Sequence, residues 1–328
     1  MRRQLCNLAN IILRPLKLTA LKAKDLSELI HFQEKLIALY NERCEWDRNH
    51  NDTIACVVFS KDRAMQLHAF LTSFQEKVTP SITAHVLYHT SNKDHRQSYD
   101  DLQQLHRGLP VLFHRQTNNT SFRNDLISLL TDFHESKIVF FVDDIVVTES
   151  IDLNDLLRHH SDKFVPSLRM GLNIKRNYTI NTPQPLPDFQ NGQTSEPGKI
   201  MWPWSSGILD WGYPLSVDGH IFSRQELLAM IKLIHFSAPN TLEDALQSFN
   251  PLFTNRLGIA YAKSKIMNIP CNKVQEENKN ISGNIHQDLL LKKWKDGFAI
   301  DLKNIYGYTN ASPHEEIDIR FIRRNNFT

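Results

Sequence analysis

The chain has 328 residues, of which 41% are hydrophobic and 23% are charged, a composition typical of a soluble globular protein with one large domain or two smaller ones. The net charge is +2, from 38 Lys and Arg against 36 Asp and Glu, so no global field favours nucleic acid as a partner. The four cysteines are widely spaced and form no C-x-x-C pair, which excludes a zinc ribbon and a disulfide scaffold and favours a reducing compartment.

The N-terminal segment, residues 1–24, carries six basic residues and no acidic one. It lacks the long apolar core and small-residue cleavage site of a signal peptide, and no window of the chain is apolar enough for a transmembrane helix. Two interpretations stay open: an ordinary helix broken near Pro15, or a basic amphipathic segment resting on an anionic membrane surface. We therefore expect a cytoplasmic protein, with peripheral contact at the inner face of the membrane as the second interpretation. Apolar residues at helical spacing predict a helix over 25–46, so that residues 1–50 form an N-terminal helical extension.

Short apolar runs alternate with amphipathic segments from residue 53 onward. The predicted strands cover residues 53–60, 82–90, 111–116 and 137–144, and the predicted helices cover residues 63–77, 98–108 and 121–136. This alternation predicts βαβ units and an α/β fold with a mainly parallel sheet flanked by helices. Ligands bind such sheets at the carboxyl ends of the strands, where the motifs "FSKDR" and "VDDI" both fall.

The residue composition of the sequence changes after residue 180. A segment rich in Pro, Gly and Asn, residues 181–199, is typical of a loop. Three of the five tryptophans then lie between residues 202 and 211, and helical patterns follow over 224–236 and 237–249.

Asp143 and Asp144 stand side by side at the end of an apolar run. Neighbouring carboxylates repel, and removing either from water is costly unless a cation or hydrogen-bond donors compensate. At a strand end, such a pair can share Mg²⁺ or Mn²⁺ with bound phosphate oxygens. The alternative is that one aspartate caps the next turn while the other is solvated.

Ser60, Lys61, Asp62 and Arg63 join the first strand to the first helix. The amides at a helix N-terminus suit anions, Arg63 could pair with phosphate, and Asp62 could accept from a nucleobase or ribose. The alternative is that Ser60 or Asp62 caps the helix beside a surface arginine. Neither G-x-G-x-x-G nor G-x-x-x-x-G-K-[ST] occurs in the chain, which disfavours a dinucleotide fingerprint and a P-loop.

Two further segments carry candidate site residues. In "WPWSSGILDWGYPLSVDGHIF", Trp211 offers a flat face for a sugar ring, Asp218 and His220 offer polar contacts, and Gly219 allows close backbone approach. In "TLEDAL", Glu243 or Asp244 could be a general base. The alternatives are a core tryptophan, and first-turn acids in a helix capped by Thr241.

Four stretches in this order, "CVVFSKDRAMQLHAFLTSF", "FFVDDIV", "DGHIFSRQEL" and "TLEDAL", resemble nucleotide-sugar-dependent glycosyltransferases of the GT-A fold, in particular bacterial family-2-like enzymes. The resemblance covers about residues 52–290. It implies a GT-A-like domain over 51–300, with residues 301–328 as a C-terminal tail.

The resemblance also implies roles for single residues. Asp62 would contact the nucleoside, "VDDI" would be the metal-binding motif of D-x-D type, and "DGHIF" would lie beside the donor sugar. "LED" would supply the base, with Asp244 favoured and Glu243 assisting. Since a strict D-x-D would need a carboxylate where Ile145 stands, a metal would rest on Asp143 or Asp144 and a distant ligand, for which His286 is the candidate.

The expected activity is transfer of a sugar from a nucleoside-diphosphate sugar to a hydroxyl of a glycan or lipid-linked saccharide. It would be inverting and assisted by Mn²⁺ or Mg²⁺, and a retaining mechanism stays open if neither Glu243 nor Asp244 is the base. Three alternatives stay open. A sugar-phosphate nucleotidyltransferase would need a glycine-rich loop after the first strand, and a phosphatase of the haloacid dehalogenase type would need an early D-x-D. The third is an inactive sugar- or nucleotide-binding relative.

Overall fold

The computed structural model describes residues 53–117, 119–189, 197–270 and 287–324, together with residues 27, 29–34 and 37, which are helical. The basic segment 1–24, most of the helix predicted over 25–46, and His286 lie outside the described residues. Within the described ranges, no helix combines the length and the apolar character needed to cross a bilayer.

The described domain is a mixed α/β structure. Its strands are β1 (Ile54–Lys61), β2 (Val78–Thr79), β3 (Ala84–His89), β4 (Val111–Arg115), β5 (Lys137–Val142), β6 (Ile145–Val147), β7 (Ile151–Asp152), β8 (Phe164–Ser167), β9 (Arg176–Asn177), β10 (Thr182–Pro183), β11 (Lys199–Pro203), β12 (Ile221–Ser223), β13 (Leu257–Tyr261), β14 (Ile266–Asn268), β15 (Phe298–Ile300) and β16 (Phe321–Arg323). Its α-helices are α1 (Ala64–Lys77), α2 (Lys93–Leu105), α3 (Phe122–Asp132), α4 (Asn154–Leu157), α5 (Arg224–Leu233), α6 (Pro239–Leu246), α7 (Asn250–Phe253) and α8 (Gln287–Lys295).

The central sheet has the strand order β12-β5-β1-β3-β4. Strands β5, β1, β3 and β4 are parallel, and β12 pairs with β5 in the antiparallel direction. The mainly parallel α/β fold predicted from the alternation of strands and helices is therefore confirmed. A second sheet has the order β11-β13-β8 and was not predicted from the sequence.

Strand β1 lies inside the sheet because almost all of its residues are apolar and buried. Its side chains alternate between two cores, as the two-residue period of a strand requires. Cys56 and Val58 pack in the core that contains residues of α1 and α2, whereas Val57 and Phe59 pack in the core that contains residues of α3 and α5.

The strand register brings the motif "FSKDR" at the end of β1 and the motif "VDDI" at the end of β5 to one edge of the central sheet. Phe59 of β1 pairs with Val142 of β5, and the backbone N–H of Asp143 donates to the carbonyl oxygen of Phe59 over 3.1 Å. The loop that follows β1 therefore runs beside the turn that follows β5. This is the edge at which parallel α/β sheets bind ligands.

Residues 301–324 pack against the preceding part of the chain. Strand β15 pairs with β16 in the antiparallel direction, and the side chains of Ile305, Asn310 and Ser312 are buried. A bridge between Asn268 and His314 brings this segment to the edge that carries the two motifs. The boundary predicted at residue 300 thus lies between two strands that pair with each other, and it stays a prediction.

Candidate functional site

Asp143 is buried directly after β5 and is held by donors from residues 60–63, which comprise the end of β1 and the connection to α1 and are here called the β1 loop. Its Oδ2 accepts from the Ser60 hydroxyl over 2.8 Å and from the backbone N–H of Lys61 over 3.1 Å. Its Oδ1 accepts from Arg63 Nη1 over 3.1 Å. Burial raises the pKa of Asp143 to about 6; the Arg63 charge opposes this rise, and the neighbouring Asp144 adds to it.

Arg63 joins the two aspartates. The same Nη1 that contacts Asp143 lies 3.1 Å from Oδ2 of Asp144, and the Arg63 side chain is only 11% exposed. The other oxygen of Asp144, Oδ1, accepts from Asn268 Nδ2 over 3.3 Å. The cation that the adjacent carboxylates require is therefore supplied, in this structure, by an arginine of the chain itself.

The β1 loop is fixed by a tyrosine and by an unusual backbone conformation. The Tyr99 hydroxyl of α2 hydrogen-bonds to Ser60 and accepts from the backbone N–H of Arg63 over 3.2 Å. Asp62 has a φ of 58°, and its Oδ1 accepts from the backbone N–H of Ser91 over 2.8 Å. Neither Ser60 nor Asp62 caps α1, which has no side-chain cap. Strained residues of this kind persist where the surrounding structure holds them, often at functional sites.

Asp218 and Arg169 form a second buried group next to the acidic pair. Arg169 Nη1 donates to the Ser216 hydroxyl over 2.6 Å and lies 3.6 Å from Asp218 Oδ2, while its Nη2 lies 3.1 Å from Asp210 Oδ1. Asn268 Nδ2, which contacts Asp144, is also 3.3 Å from Asp218 Oδ2. Asn268 thus links the two groups. Burial raises the pKa of Asp218, and the Arg169 charge opposes that rise.

His314 approaches the same carboxylate from the C-terminal segment. Its Nε2 lies 3.6 Å from Asp218 Oδ2, and its side chain is 31% exposed. Desolvation and the Arg169 charge lower the pKa of His314 to about 4. The imidazole is therefore neutral near pH 7 and faces the site with a partly accessible ring.

The other predicted residues of the tryptophan-rich segment lie in the core. Trp211 is fully buried, and its indole N–H donates to the carbonyl oxygen of Ile174 over 3.1 Å. Because no face of the ring is exposed, the expectation that Trp211 stacks on a sugar is wrong for this structure. His220 is also buried; its Nδ1 is 2.9 Å from the carbonyl oxygen of Pro214, and desolvation lowers its pKa to about 3. Its ring packs against Trp204, with 5.3 Å between ring centroids.

Gly219 is required by the backbone and by packing. Its φ is 73°, a region that costs other residues conformational energy. A Cβ atom at this position would lie 2.3 Å from Cδ1 of Ile266. Its backbone N–H donates to the carbonyl oxygen of Phe140 over 2.8 Å, which fixes the preceding Asp218 against the end of β5.

Glu243 and Asp244 lie in α6 but have different surroundings. Glu243 is half-buried, and its Oε2 accepts from the backbone N–H of Val217 over 3.2 Å. Burial and the nearby Asp218 charge raise the pKa of Glu243 to about 7. Asp244 is exposed. Burial, followed by the charges of Glu243 and then Asp244, raises the pKa of Tyr213, so both carboxylates lie near that phenol.

The start of α6 differs from the capping pattern considered in the sequence. The helix begins at Pro239, and the Thr241 hydroxyl accepts from the backbone N–H of Ala238 over 2.9 Å. Thr241 is therefore inside the first turn and does not precede it. The two acids consequently lie in the second turn, so the dipole of a first turn does not account for them.

The described residues do not fit a divalent metal ion as they are arranged. All four oxygens of Asp143 and Asp144 accept a hydrogen bond from the protein. In the part of the chain that the structure describes, no group of three or more His, Cys, Asp or Glu side chains is arranged to hold a metal. His286, the distant ligand expected from the sequence, lies outside that part.

Comparisons with known proteins give likenesses of structure only. No known family and no curated relative matches the sequence. The chain is similar to a fragment of S. aureus TarS at 15% identity and a TM-score of 0.42, over 65% of this chain and 59% of that one. A TarS complex with UDP-GlcNAc matches at 15% identity and a TM-score of 0.40, over 70% and 60% of the two chains. A 4-diphosphocytidyl-2C-methyl-D-erythritol synthase from Anaerococcus prevotii matches at 10% identity and a TM-score of 0.37, over 74% and 96%.

This chain spans less than two thirds of the TarS fragment that it matches. Likenesses at these TM-scores identify no reaction. The function is therefore inferred from the residues that meet at the edge of the sheet.

Gly219→Ala tests how the backbone holds Asp218. We expect a loss of about 1–3 kcal/mol in the free energy of unfolding, because the added methyl group requires a strained φ and displaces Ile266. Chemical denaturation of the variant and the wild type measures the change. Gly108→Ala is the matched control, since Gly108 also has a positive φ but a Cβ atom added there would meet no other atom within 4 Å. Equal losses in both variants would show that packing at Gly219 is unimportant.

Proposed function

We propose that the protein is a glycosyltransferase that moves a sugar from a nucleoside-diphosphate sugar to a hydroxyl acceptor with inversion at the anomeric carbon. One observation carries the proposal. The end of β1 and the loop after it bring the backbone N–H of Lys61 to Asp143, and the guanidinium of Arg63 to Asp143 and Asp144. This contact lies at the edge where parallel α/β sheets bind ligands. Asn268 connects this group to Asp218, and the Glu243 contact with Val217 connects α6 to the Asp218 loop.

The donor diphosphate would lie against the β1 loop. Arg63 and the exposed Lys61 carry positive charge there, and the N-terminal amides of α1 favour an anion. These groups would neutralise the charge that develops on the departing diphosphate. Asp62, held by Ser91, would contact the nucleoside, and Asp218 with Gly219 would lie beside the donor sugar.

Asp244 would accept the proton of the acceptor hydroxyl. A general base must reach the proton that it removes, and Asp244 is exposed whereas Glu243 is held by Val217 and Tyr213. Glu243 would position α6 against the Asp218 loop. As the proton moves to Asp244, the acceptor oxygen bonds to the anomeric carbon, and the bond from that carbon to the diphosphate breaks.

The acceptor would be a glycan or a lipid-linked saccharide. The proposal places the reaction in polysaccharide biosynthesis in the cytoplasm, with peripheral contact to the membrane through the basic segment 1–24. The charge of that segment supports the contact.

Asp244→Asn tests the assignment of the base. We expect kcat for sugar transfer to fall by about 10²- to 10⁴-fold, the usual contribution of general base catalysis. The dissociation constant for the nucleoside diphosphate should stay unchanged, because the proposal assigns the diphosphate to the β1 loop and Asp244 lies in α6. Transfer from a panel of UDP- and GDP-sugars, with calorimetry of the corresponding diphosphates, gives both quantities.

Asp100→Asn is the matched control, since Asp100 is an exposed acid on α2 and should leave kcat unchanged. Full activity of Asp244→Asn together with an inactive Glu243→Gln would assign proton transfer to Glu243 instead. Incorporation of a nucleoside triphosphate, without sugar transfer from any donor, would indicate a nucleotidyltransferase.

Glu243 should make the stability of the protein depend on pH. Its folded-state pKa of about 7 lies above its ordinary value of 4.5, so the folded protein retains a proton that the unfolded chain releases. Stability is therefore lost as pH rises from about 4.5 to 7, by an amount on the order of 1–3 kcal/mol.

Urea denaturation of the wild type and of Glu243→Gln between pH 5 and pH 8 measures this contribution. The wild type should lose stability relative to the variant as pH rises, whereas Asp244→Asn should follow the wild type. Parallel curves for the wild type and Glu243→Gln would contradict the raised pKa.

A further inference from the structure

Arg63 occupies the position at which a cation shared by Asp143 and Asp144 would lie. A single nitrogen, Nη1, is 3.1 Å from an oxygen of each aspartate. The remaining oxygens accept from Ser60, Lys61 and Asn268. A divalent ion needs several oxygen ligands at about 2.0–2.6 Å in open geometry, and it would have to displace the guanidinium to obtain them.

The backbone of Arg63 is held in place by Tyr99 of α2. The Arg63 backbone N–H donates to the hydroxyl of Tyr99, and that hydroxyl also binds Ser60, a donor to Asp143. The tyrosine ring stacks on Tyr88, with 4.7 Å between ring centroids. Tyr99 therefore holds both the backbone of Arg63 and the side chain of Ser60, the two residues that contact Asp143 through their side chains.

A guanidinium also has the chemistry that the position requires. It stays protonated at all accessible pH values and binds carboxylate and phosphate oxygens through several N–H groups. Asp143 and Asp144 together carry up to two negative charges, and the Arg63 guanidinium, which contacts both, compensates them together with donors from Ser60, Lys61 and Asn268. The exposed Lys61 charge and the amides at the N-terminus of α1 add a favourable potential for phosphate.

We infer that Arg63 is the resident cation of the donor site, so that this protein binds a nucleoside diphosphate without a divalent metal ion. The inference rests on the proposed function for the identity of the ligand, but the exclusion of metal by Arg63 does not depend on it. It replaces the metal-assisted reaction expected from the sequence with one in which the cation belongs to the protein.

The first test uses Mn²⁺ alone and needs no nucleotide. The wild type should show no shift in melting temperature with Mn²⁺, whereas Arg63→Gln, which exposes the carboxylate pair, should be stabilised by Mn²⁺. Arg63→Lys is the matched variant, because it retains the charge and should continue to exclude the metal. Stabilisation of the wild type by Mn²⁺ that is lost in Asp144→Asn would overturn the inference.

The second test uses UDP, GDP, ADP and CDP in calorimetry, each with EDTA and with Mn²⁺. For the diphosphate that binds most tightly, the two dissociation constants for the wild type should agree within about threefold. Arg63→Gln should bind at least about tenfold more weakly in EDTA and recover affinity with Mn²⁺. A wild type that binds only with Mn²⁺ would contradict the inference.

The two tests separate the inference from the proposed function. If no diphosphate binds in either condition, the proposed function fails, and the Mn²⁺ test still decides whether Arg63 excludes metal. Circular dichroism of Arg63→Gln checks folding. Should that variant not fold, the Arg63→Lys and wild-type arms together with Asp144→Asn still decide whether the native pair binds Mn²⁺.

Discussion

The contact of Arg63 with Asp143 and Asp144 is the interaction on which the site depends. Two adjacent carboxylates follow a strand that is buried in the sheet, and charges in such a place are costly unless they are paired and hydrogen-bonded. Removing one partner of a buried pair leaves an uncompensated charge. Here the parallel register of β1 and β5 brings the arginine to the aspartates, so the same feature that builds the sheet also stabilises the acidic pair.

The site extends from this contact through a small number of shared residues. Asn268 bonds to Asp144 and Asp218, and Arg169 holds Asp218 and Asp210. Asp218 and Arg169 are buried, so the charge of each side chain strongly affects the other. Positive charge on Arg169 opposes the raised pKa values of Asp218 and Glu243 and lowers that of His314. The charge of Arg169 thus acts on Asp218, Glu243 and His314 together.

The sequence predicted the parts of the fold that are encoded locally. Strands β1, β3, β4 and β5 were found because buried parallel strands are continuous apolar runs, and α1 was found from its helical period. The start of α2 was missed by five residues because its cap, Asn92, accepts from the backbone N–H of His95 and stands in a polar stretch without periodicity. The second sheet was missed because its strands are short and lie far apart in the sequence, with β12, α5, α6 and α7 between β11 and β13.

Some site residues could likewise be predicted from local sequence patterns, whereas others could not. The meeting of "FSKDR" with "VDDI" follows from the rule that parallel strands end at one edge. The roles of Asn268, Arg169 and His314 depend on long-range packing, and an isolated Asn, Arg or His gives no signal in one sequence. The position of Trp211 was wrongly predicted for a related reason. Glycines beside an aromatic ring suggested a ligand-binding surface, but Gly207 here allows close packing against the backbone of Trp211.

A crystal structure of the protein with a bound nucleoside diphosphate, grown in EDTA, would show which groups contact the diphosphate when no divalent ion is present. We predict that the diphosphate lies against Lys61, Arg63 and the N-terminus of α1, with the nucleoside near Asp62 and with Arg63 still in contact with Asp143 and Asp144. A nucleotide bound away from the β1 loop, or one whose density appears only when Mn²⁺ replaces Arg63 at the aspartates, would contradict it.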